Sequence, residues 1–289
     1  MFLENYPLSK VTSLGVGGPA DFFLQPTSTN DVAQAQRFAI ERGLPLTIIG
    51  YGTNLLVRDG GIRGVVLQIA HPFAEAKVEG MILTAQAGCL LGSLSKLALH
   101  HHLSGLEFAV GIPGGLGGAT FMNAGAYGGE VGPLIRSIQF VRDGQLGTWS
   151  RGEFYFSYRS SRLQSEAEGA AIVTQVELEL KPGAPRDILQ RMNDFQNQRR
   201  SKQPLEYPSA GSTFKRPPGY YVGPLIEQAG LKGLRIGGAQ VSTKHAGFIT
   251  RIGEAKARDF LDLIAKIQDT ILQEFGVALE PEIRILGED

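Results

Sequence analysis

Two glycine-rich segments in the first half of the chain have residue types suited to binding a phosphate-bearing ligand. The first, GYGTNLLVRD, begins at Gly50; its glycines let successive backbone N–H groups converge, and Thr53 and Asn54 add side-chain donors. An ordinary turn explains this segment equally well. The second, residues 111–129, has eight glycines in nineteen positions and little side-chain bulk. Because such a run cannot fill a core, we expect its backbone to lie against a large, flat cofactor.

The common nucleotide-binding motifs are missing or out of context. Residues 15–20 match the pattern G-x-G-x-x-A, but no strand is predicted before them, and Pro19 falls in the turn that should open a helix. The sequence contains no Walker A pattern. Phosphates must therefore be bound in another way.

Three residues have side chains that can move a proton or stabilise a charge: Arg159, Ser212 and Glu282. From the local pattern alone, Arg159 is best interpreted as a solvated loop cation and Ser212 as a turn hydroxyl. Glu282 shares one face of a predicted strand with Glu280 and Arg284, so this face equally fits the solvent side of an antiparallel sheet. The local pattern does not assign catalysis to any of them.

The histidine run His100–His102 resembles a metal site at first sight. No Cys, Asp or second His group lies at ligand spacing, so we expect these residues to stabilise a helix C-terminus. We assign no metal.

Length, charge and cysteine content limit the classes of function. With 289 residues the chain can form two domains of ordinary size. Its 28 Lys and Arg residues balance 28 Asp and Glu residues, so no overall field favours nucleic acid or an anionic membrane. The single cysteine, Cys89, excludes an internal disulfide and fits a reducing compartment. With no apparent export signal and no membrane-length apolar stretch, we expect a cytoplasmic protein.

The elements that must position these residues alternate between helix and strand in the first half. Helices are predicted at 30–42, with Asn30 or Asp31 as N-cap, and at 92–102. Strands are predicted at 45–49, 62–69, 78–86, 106–110, 134–141 and 171–180.

A polar stretch, LKPGAPRD at 180–187, indicates a domain boundary near residue 185. After it we predict helices at 186–199, 223–229 and 254–275, two glycine-punctuated strands between the last two, and a final strand over 277–286.

Several motifs, in order along nearly the whole chain, resemble those of the UDP-N-acetylenolpyruvoylglucosamine reductases. GxGTNLLVRD is followed about sixty residues later by GIPGxxGGAxxMNAGAYGGE. The other matching segments are TSLGVGGPADFF near the start, Tyr158-Arg159, RRSKQP at 199–204, PSAGSTFKRP at 208–217, LKGLRIGGAQVSTKHAGF at 231–248 and LEPEIR at 279–284.

The resemblance implies an α+β fold in two parts. The first is a vanillyl-alcohol-oxidase-like (PCMH-type) FAD-binding domain over residues 1–185, with subdomains at about 1–70 and 71–185. The second is an α+β substrate-binding domain over 186–289, whose last strand returns to the FAD domain.

The resemblance also implies the reaction. NADPH is the co-substrate, FAD is tightly but non-covalently bound, and the enolpyruvyl group of UDP-N-acetylglucosamine enolpyruvate is reduced to give UDP-N-acetylmuramate for peptidoglycan precursors. Arg159 and Glu282 would stabilise the enolate and Ser212 would donate the proton. We expect a monomer with no nucleic-acid or membrane partner.

The family motifs carry binding roles onto further residues. Those expected to bind FAD are Gly50, Tyr51, Gly52, Thr53, Asn54, Leu55, Gly111, Ile112, Pro113, Gly114, Gly117, Gly118, Ala119, Met122, Asn123 and Gly125. Those expected to line the UDP-sugar and NADPH site are Tyr158, Lys202, Arg216, Tyr220, Tyr221, Lys232 and His245. Some family members have an inserted loop after the Tyr-Arg segment whose tyrosine covers the substrate. That insertion is absent here, so Tyr220 or Tyr221 takes this role.

Two other functions remain open at this level. One is a flavin oxidase of the same superfamily acting on a sugar or alcohol; the glycine-rich segment has no His or Cys to tether FAD, which weighs mildly against it. The other is a non-catalytic UDP-sugar-binding protein.

Overall fold

The computed structural model describes residues 2–289. Its α-helices are α1 (Thr29–Glu41), α2 (Leu91–His100), α3 (Leu116–Met122), α4 (Pro185–Lys202), α5 (Val222–Gln228) and α6 (Ala257–Phe275). Short 3-10 turns lie at Leu8–Lys10, Glu107–Gly111, Gly132–Leu134 and Arg162–Gln164. The strands are β1 (Leu3–Pro7), β2 (Pro19–Leu24), β3 (Leu46–Ile49), β4 (Leu55–Val57), β5 (Ile62–Gln68), β6 (Ala76–Glu79), β7 (Ile82–Gln86), β8 (Leu103–Ser104), β9 (Gly125–Ala126), β10 (Gly129–Glu130), β11 (Ile135–Arg142), β12 (Gln145–Ser150), β13 (Phe156–Ser157), β14 (Ser160–Ser161), β15 (Ile172–Glu179), β16 (Lys181–Pro182), β17 (Ser209–Ser212), β18 (Arg235–Ile236), β19 (Ala239–Val241), β20 (Phe248–Arg251) and β21 (Arg284–Leu286).

The chain divides into two compact units. Unit 1 consists of residues 2–4, Phe22–Tyr51 and Gly64–Arg199, and unit 2 of Asn5–Asp21, Gly52–Arg63 and Arg200–Asp289. In this division the second half of the chain passes from unit 1 to unit 2 after Arg199. The reason is that α4 buries Ile188 and Met192 against Val110 of unit 1.

Unit 1 is built on an antiparallel five-stranded sheet with the order β12-β11-β15-β7-β6. The central strand β15 is buried along most of its length, as expected for a strand covered on both faces. Helices α1 and α3 pack against it. In the same unit β3 pairs in parallel with β5, from Leu46 opposite Val65 to Ile49 opposite Gln68.

Unit 2 has a smaller antiparallel sheet with the order β17-β20-β19-β18, against which α6 packs. Residues Phe260, Ile264, Ile267 and Ile271 recur at three- and four-residue spacing on α6 and are all buried. Each such side chain contributes about 1.5–3 kcal/mol when fully removed from water. The helix ends at Gly276, which takes a left-handed φ of 66°.

The C-terminal strand β21 pairs in parallel with β4, also in unit 2. The predicted strand over 277–286 is thus confined to Arg284–Leu286. Pro281 explains part of the difference, because it has no N–H to donate to a strand ladder and forms only an isolated bridge with Phe214. The pairing does return the end of the chain to a segment of the first seventy residues.

Other elements differ from the sequence prediction in informative ways. The predicted strand at 106–110 is a 3-10 turn, because the Glu107 carboxylate accepts hydrogen bonds from Ser104 and from the Gly105 N–H and closes a local loop. The predicted strand at 78–86 is a hairpin of β6 and β7. The N-cap of α1 is Ser28, in a reciprocal capping box with Asp31, and not Asn30 or Asp31.

Among residues 2–289, no helix combines the length and the apolar composition that crossing a membrane requires. Within the same residues, no group of three or more His, Cys, Asp and Glu side chains is arranged to hold a metal ion.

Candidate active site

Arg159 stands at the tip of a short hairpin in unit 1. Strands β13 and β14 pair Phe156 with Ser161 and Ser157 with Ser160, which leaves Tyr158 and Arg159 as the two turn residues. Arg159 takes a left-handed φ of 54°, an uncommon backbone conformation for a residue with a side chain. Its guanidinium donates to the carbonyl of Gly125 at 3.1 Å and lies 5.1 Å from the ring centre of Tyr158. The hairpin therefore holds a fixed positive charge beside the end of the glycine-rich segment.

The hairpin is tied to the C-terminal end of α3 by side-chain hydrogen bonds. Ser161 Oγ donates to the Phe121 carbonyl at 2.7 Å. Gln164 Nε2 donates to the same carbonyl at 2.8 Å and to the carbonyl of Arg159 at 3.1 Å. The backbone of Arg159 is thus connected directly to the helix within the glycine-rich segment.

Asn123 ends α3 and is a buried polar residue of the segment. It takes a left-handed φ of 43°, and 1% of its surface is exposed. Its Nδ2 donates to the Glu130 carboxylate and to the Ser157 carbonyl, both at 2.9 Å, and its Oδ1 accepts from the Gly132 N–H at 2.9 Å. The Asn123 side chain therefore serves the protein itself, and any contact with FAD would come from its backbone.

The start of α3 is held by the segment 87–89. The N–H groups of Leu116 and Gly117 donate to the carbonyls of Cys89 and Ala87, each at 2.8 Å. The Tyr51 hydroxyl donates to the Gly88 carbonyl, also at 2.8 Å. These two helix-start N–H groups are consequently paired within the protein.

The glycines of α3 differ in what surrounds them. A Cβ at Gly117 would lie 2.9 Å from the Cβ of Ala87, so close packing requires glycine there. A Cβ at Gly118 would have no atom within 4 Å, and one at Gly50 would meet only the Ile69 carbonyl at 3.8 Å. Gly118 and Gly50 therefore present bare backbone to open space, which fits a flat group lying against them.

Helix α4 contacts both ends of the glycine-rich segment. At the entry, Arg191 donates to the Glu107 carboxylate at 2.6 Å. Burial alone would raise the pKa of Glu107, but hydrogen bonds from Arg191, Ser104 and the Gly105 N–H together lower it. At the exit, the ring of Phe195 stacks on that of Tyr127, with centres 4.6 Å apart and planes 9° apart.

Arg199 lies near the end of the same helix. A Cβ added at Gly111 would lie 3.0 Å from Arg199 Cδ, so the arginine stem covers this glycine. Burial lowers the pKa of Arg199 and raises that of Tyr127, an effect that the arginine charge partly offsets. Arg199, the first residue of the RRSKQP motif, thus packs against the start of the glycine-rich segment.

In unit 2, Gly52 and Asn54 have structural contacts of their own. Gly52 has a φ of 66°, and a Cβ there would collide with the Val11 carbonyl at 2.1 Å. Asn54 Nδ2 donates to the Glu282 carbonyl at 3.1 Å, and the Arg284 N–H donates to the Asn54 carbonyl at 3.0 Å. Asn54 therefore holds the backbone of Glu282 in place.

Ser212 and Glu282 lie on neighbouring segments of unit 2. Ser212 ends β17 opposite Phe248, and its side chain is exposed. The Glu282 N–H donates to the Thr213 carbonyl at 2.8 Å. The structure therefore brings the two predicted catalytic residues of this unit to adjoining positions.

The predicted substrate residues of unit 2 are mostly exposed. Arg216 donates through Nε to the Tyr220 carbonyl at 3.2 Å, and its guanidinium carbon lies 3.8 Å from the ring centre of Tyr221. Lys232 pairs with Glu227 at 2.8 Å, and Lys202 is exposed at the end of α4. Cations are thus present at the surface to meet phosphate groups.

His245 is half-buried, and its pKa is lowered, which favours the neutral imidazole. Burial is the main cause that lowers its pKa, and the nearby Lys232 and Lys202 charges lower it further. Its Nδ1 accepts from the Gly247 N–H at 3.1 Å. We infer that the ring proton sits on Nε2, which is then the atom able to donate to a ligand.

Comparisons with known proteins identify the chain's relatives. Residues 203–286 match the family model of the UDP-N-acetylenolpyruvoylglucosamine reductase C-terminal domain, and residues 20–144 match an FAD binding domain model. The UDP-N-acetylenolpyruvoylglucosamine reductase of Exiguobacterium sibiricum is 48% identical over 288 residues, covering 99% of this chain and 93% of the relative. That of Latilactobacillus sakei is 49% identical over 284 residues, covering 98% and 92%. The chain belongs to this family.

A solved member of the UDP-N-acetylenolpyruvoylglucosamine reductase family, from Thermus caldophilus, has the same fold. It superposes with a TM-score of 0.86 at 35% identity, covering 99% of this chain and 100% of that one. The predictions of family, of an α+β fold with an FAD-binding domain, and of a flavin-dependent oxidoreductase are confirmed.

Sequence reasoning missed several residues that shape this candidate site. Gln164, Glu107 and Arg191 carry no motif, because their roles depend on contacts with distant segments. The helix α3 was also not predicted, since Gly117 and Gly118 have low helix propensity. The signal that could have indicated this helix is the run from Leu116 to Met122, which lies between Gly115 at the N-cap and the left-handed Asn123 at the C-cap.

Proposed function

We propose that this protein reduces the enolpyruvyl group of UDP-N-acetylglucosamine enolpyruvate to give UDP-N-acetylmuramate, with NADPH as electron donor, in peptidoglycan precursor synthesis. Family membership over nearly the whole chain supports this substrate. The structural observation that carries the proposal is the contact of the Arg159 guanidinium with the Gly125 carbonyl, which fixes a positive charge at the edge of the glycine-rich segment.

The residues of unit 1 fit FAD. The open backbone at Gly118 and Gly50 accepts a flat group without side-chain interference. When bound, FAD supplies the hydride that links oxidation of NADPH to reduction of the enolpyruvyl group. The FAD-binding match over residues 20–144 includes both glycines.

Arg159 is proposed to stabilise the negative charge that develops on the substrate. Addition of a hydride to the CH₂ carbon leaves an enolate spread over the adjoining carbon and the carboxylate. A guanidinium is permanently charged and planar, so it can pair with that carboxylate through two parallel hydrogen bonds. Because the hairpin pre-sets the position of Arg159, little reorganisation accompanies the charge change.

Glu282 and Ser212 are proposed to complete the chemistry. Glu282 assists charge stabilisation as a hydrogen-bond donor when protonated. Ser212 gives its hydroxyl proton to the enolate carbon, a step that a weak acid can perform because an enolate is a strong base. Their adjoining backbone, joined by the Glu282 N–H and the Thr213 carbonyl, supports a shared role.

The exposed cations of unit 2 are proposed to bind the diphosphates of both ligands in turn. Lys202, Arg216 and Lys232 supply charge, and the Nε2–H of His245 supplies a neutral donor. Since both NADPH and the UDP-sugar carry a diphosphate, one set of donors can serve each. Alternating occupancy predicts ping-pong kinetics. We further propose that the protein acts as a monomer in the cytoplasm.

An anaerobic two-step titration tests the function. The flavin absorbance of the purified protein should bleach with one equivalent of NADPH and return when UDP-N-acetylglucosamine enolpyruvate is added. The Arg159→Ala and Glu282→Gln variants should bleach normally but recover their colour at least about a hundredfold more slowly, in the range of losing one charge-stabilising group.

The other outcomes point to different functions. Recovery of colour only on admission of air would indicate an oxidase of the same superfamily. If the protein bound the UDP-sugar but its flavin colour returned neither with the substrate nor with air, it would be a non-catalytic binding protein. Failure of the protein to retain or take up flavin would contradict the role of the glycine-rich segments.

A further inference from the structure

Gln164 makes contacts that bear directly on Arg159. It follows the hairpin in a 3-10 turn, Arg162–Gln164, and its amide nitrogen donates two hydrogen bonds to backbone carbonyls. One acceptor is Phe121, in the last turn of α3, at 2.8 Å; the other is Arg159 itself, at 3.1 Å. One side chain therefore joins the helix of the glycine-rich segment to the backbone of the proposed charge-stabilising residue.

The backbone of Arg159 requires such support. A left-handed φ of 54° costs a residue with a Cβ about 1–2 kcal/mol, and such conformations persist where surrounding contacts impose them. The turn connects two strands of only two residues each, so the ladder supplies few hydrogen bonds of its own. Without the bond to its carbonyl, Arg159 can relax to a negative φ, which would redirect its guanidinium.

The other ties to the hairpin act at different points. Asn123 holds the carbonyl of Ser157 and Ser161 holds the carbonyl of Phe121, so these residues fix the two strands rather than the turn. Asn123 is also buried and makes two further bonds, so its removal would disturb the fold widely. Gln164 is exposed, so its removal should disturb the fold less. It removes the bond to the Arg159 carbonyl together with contacts to Phe121 and Met122 in the last turn of α3. Ser161 still holds the Phe121 carbonyl in that variant, whereas the bond from Gln164 to the Arg159 carbonyl is lost.

We infer that Gln164 is a positioning residue that sets the direction of Arg159 and thereby the rate of the step in which the enolpyruvyl substrate is reduced. The inference rests on the proposed role of Arg159. Since Arg159 acts on charge that forms only on the enolpyruvyl substrate, Gln164 matters for that half of the reaction and not for transfer from NADPH.

The test uses Gln164→Ala and Gln164→Glu in the flavin-loaded protein. Glutamate keeps the shape of glutamine but, when ionised, has no N–H to donate. Both variants should slow reoxidation by the enolpyruvyl substrate on the order of tenfold, less than the ~100-fold that a 1 Å misplacement can cause. Flavin content and the rate of bleaching by NADPH should stay within about twofold of the parent. The matched control is Gln190→Ala, an exposed glutamine whose amide bonds only to Asp194 one turn away.

A double variant separates positioning from general support. If Gln164 acts through Arg159, then Gln164→Ala should add no further loss in an Arg159→Ala background. A further loss of the full tenfold, or an equal slowing of bleaching by NADPH, would overturn the inference. If Arg159→Ala alone left the rate of reoxidation unchanged, the proposed role of Arg159 would be wrong, and this result would distinguish that failure from a failure of the inference about Gln164.

A second readout does not depend on activity. In the protein without substrates, amide hydrogen exchange of residues 156–160 should accelerate at least about fivefold in Gln164→Ala and stay unchanged in Gln190→Ala. Unchanged exchange in both variants would show that the turn does not depend on Gln164 and would overturn the inference.

Discussion

The glycine-rich segment 111–130 and the turn 215–221 are both predicted to bind ligands, yet they are held in opposite ways. In the first, Asn123 is buried with three hydrogen bonds to the protein. In the second, Tyr220 and Tyr221 are 43% and 62% exposed, and Arg216 supplies the contacts described above. One segment is fixed from within, and the other lies at the surface.

The difference matches what each segment is proposed to bind. A resident cofactor needs one constant surface, and buried polar contacts provide it at the cost of adaptability. Two ligands that bind in turn need a surface that can adjust, and exposed tyrosines, one with a cation over its ring, can do so. In this comparison, the hydrogen bonding of the side chains within the protein, more than the sequence motif, distinguishes the site proposed for a resident cofactor from the site proposed for two ligands that bind in turn.

The largest effect should follow from Asn123→Ala, which removes the internal support of the glycine-rich segment. Glu130, Ser157 and Gly132 would each lose a hydrogen bond to the buried Asn123 side chain, and alanine is disfavoured at a φ of 43°. We expect the free energy of unfolding to fall by about 3 kcal/mol, measured by urea denaturation of the flavin-free protein. The exposed Asn193→Ala should stay within about 0.5 kcal/mol of the parent. A small loss in Asn123→Ala would show that the segment is not held from within.

Glu107→Gln should lower the free energy of unfolding in a pH-dependent way, because Glu107 stabilises the turn just before the same segment. The hydrogen bonds from Arg191, Ser104 and Gly105 outweigh burial and keep the pKa of Glu107 below its usual 4.5. The folded state therefore favours the carboxylate, and this stabilisation is present above pH 4.5 and is lost as pH falls through the lowered pKa. At pH 7 we expect a loss of about 1–2 kcal/mol.

The check is urea denaturation of parent and Glu107→Gln between pH 7 and pH 3. The difference between the two proteins should shrink as pH falls below about 4.5 and through the lowered pKa of the folded carboxylate. A difference that stayed constant across this range would mean that the carboxylate charge contributes nothing.

The paired variants Gly117→Ala and Gly118→Ala test whether open backbone is reserved for FAD. Both glycines lie in α3, where alanine is favoured by about 1 kcal/mol. Gly117→Ala meets Ala87 and should destabilise the flavin-free protein by about 1–3 kcal/mol. Gly118→Ala has room and should leave its stability unchanged or higher.

FAD affinity separates the two variants further. Gly118→Ala should raise the Kd for FAD at least about tenfold, which corresponds to about 1.4 kcal/mol, measured by flavin fluorescence. If Gly118→Ala bound FAD like the parent, the open face of α3 would not be the cofactor surface.

The smallest effects are expected in the exposed turn. Tyr220→Phe and Tyr221→Phe should each leave the free energy of unfolding within about 0.5 kcal/mol. Because the Tyr221 ring already holds Arg216 at 3.8 Å, we expect Tyr220 to cover the substrate. Steady-state kinetics should show a KM for the enolpyruvyl substrate raised a few-fold, on the order of one lost hydrogen bond, in Tyr220→Phe only. The reverse result would assign the covering role to Tyr221.

Long periodic elements could be predicted from the sequence, whereas several of the short ones could not. The helices 30–42 and 254–275 were expected within three residues of α1 and α6, because their apolar spacing and caps are local signals. The strand expected at 106–110 failed because the side chain of Glu107 stabilises a turn with the residues before it. Local competition of this kind has no periodic signature.

The candidate site followed the same division. The family motifs predicted Arg159 and Asn123 as site residues. They did not predict that the Asn123 side chain forms hydrogen bonds with Ser157, Gly132 and Glu130. The functional domain assignment, with a boundary near 185, stays a prediction; α4 packs with unit 1 because Ile188 and Met192 bury against Val110. Such pairings join residues far apart in sequence, which no local pattern records.

The parallel pairing of β21 with β4 also affects when the protein can become active. Asn54 and Glu282 are 228 positions apart in the sequence, and their contact completes only when the last strand has docked. During synthesis, residues 55–57 must therefore wait until residues 284–286 have emerged. A nascent chain that already contains Arg159 would lack the docked Glu282 until then, so the proposed set of catalytic residues would be complete only after that step. Closing so long a loop also makes this docking a late, entropically costly step in folding.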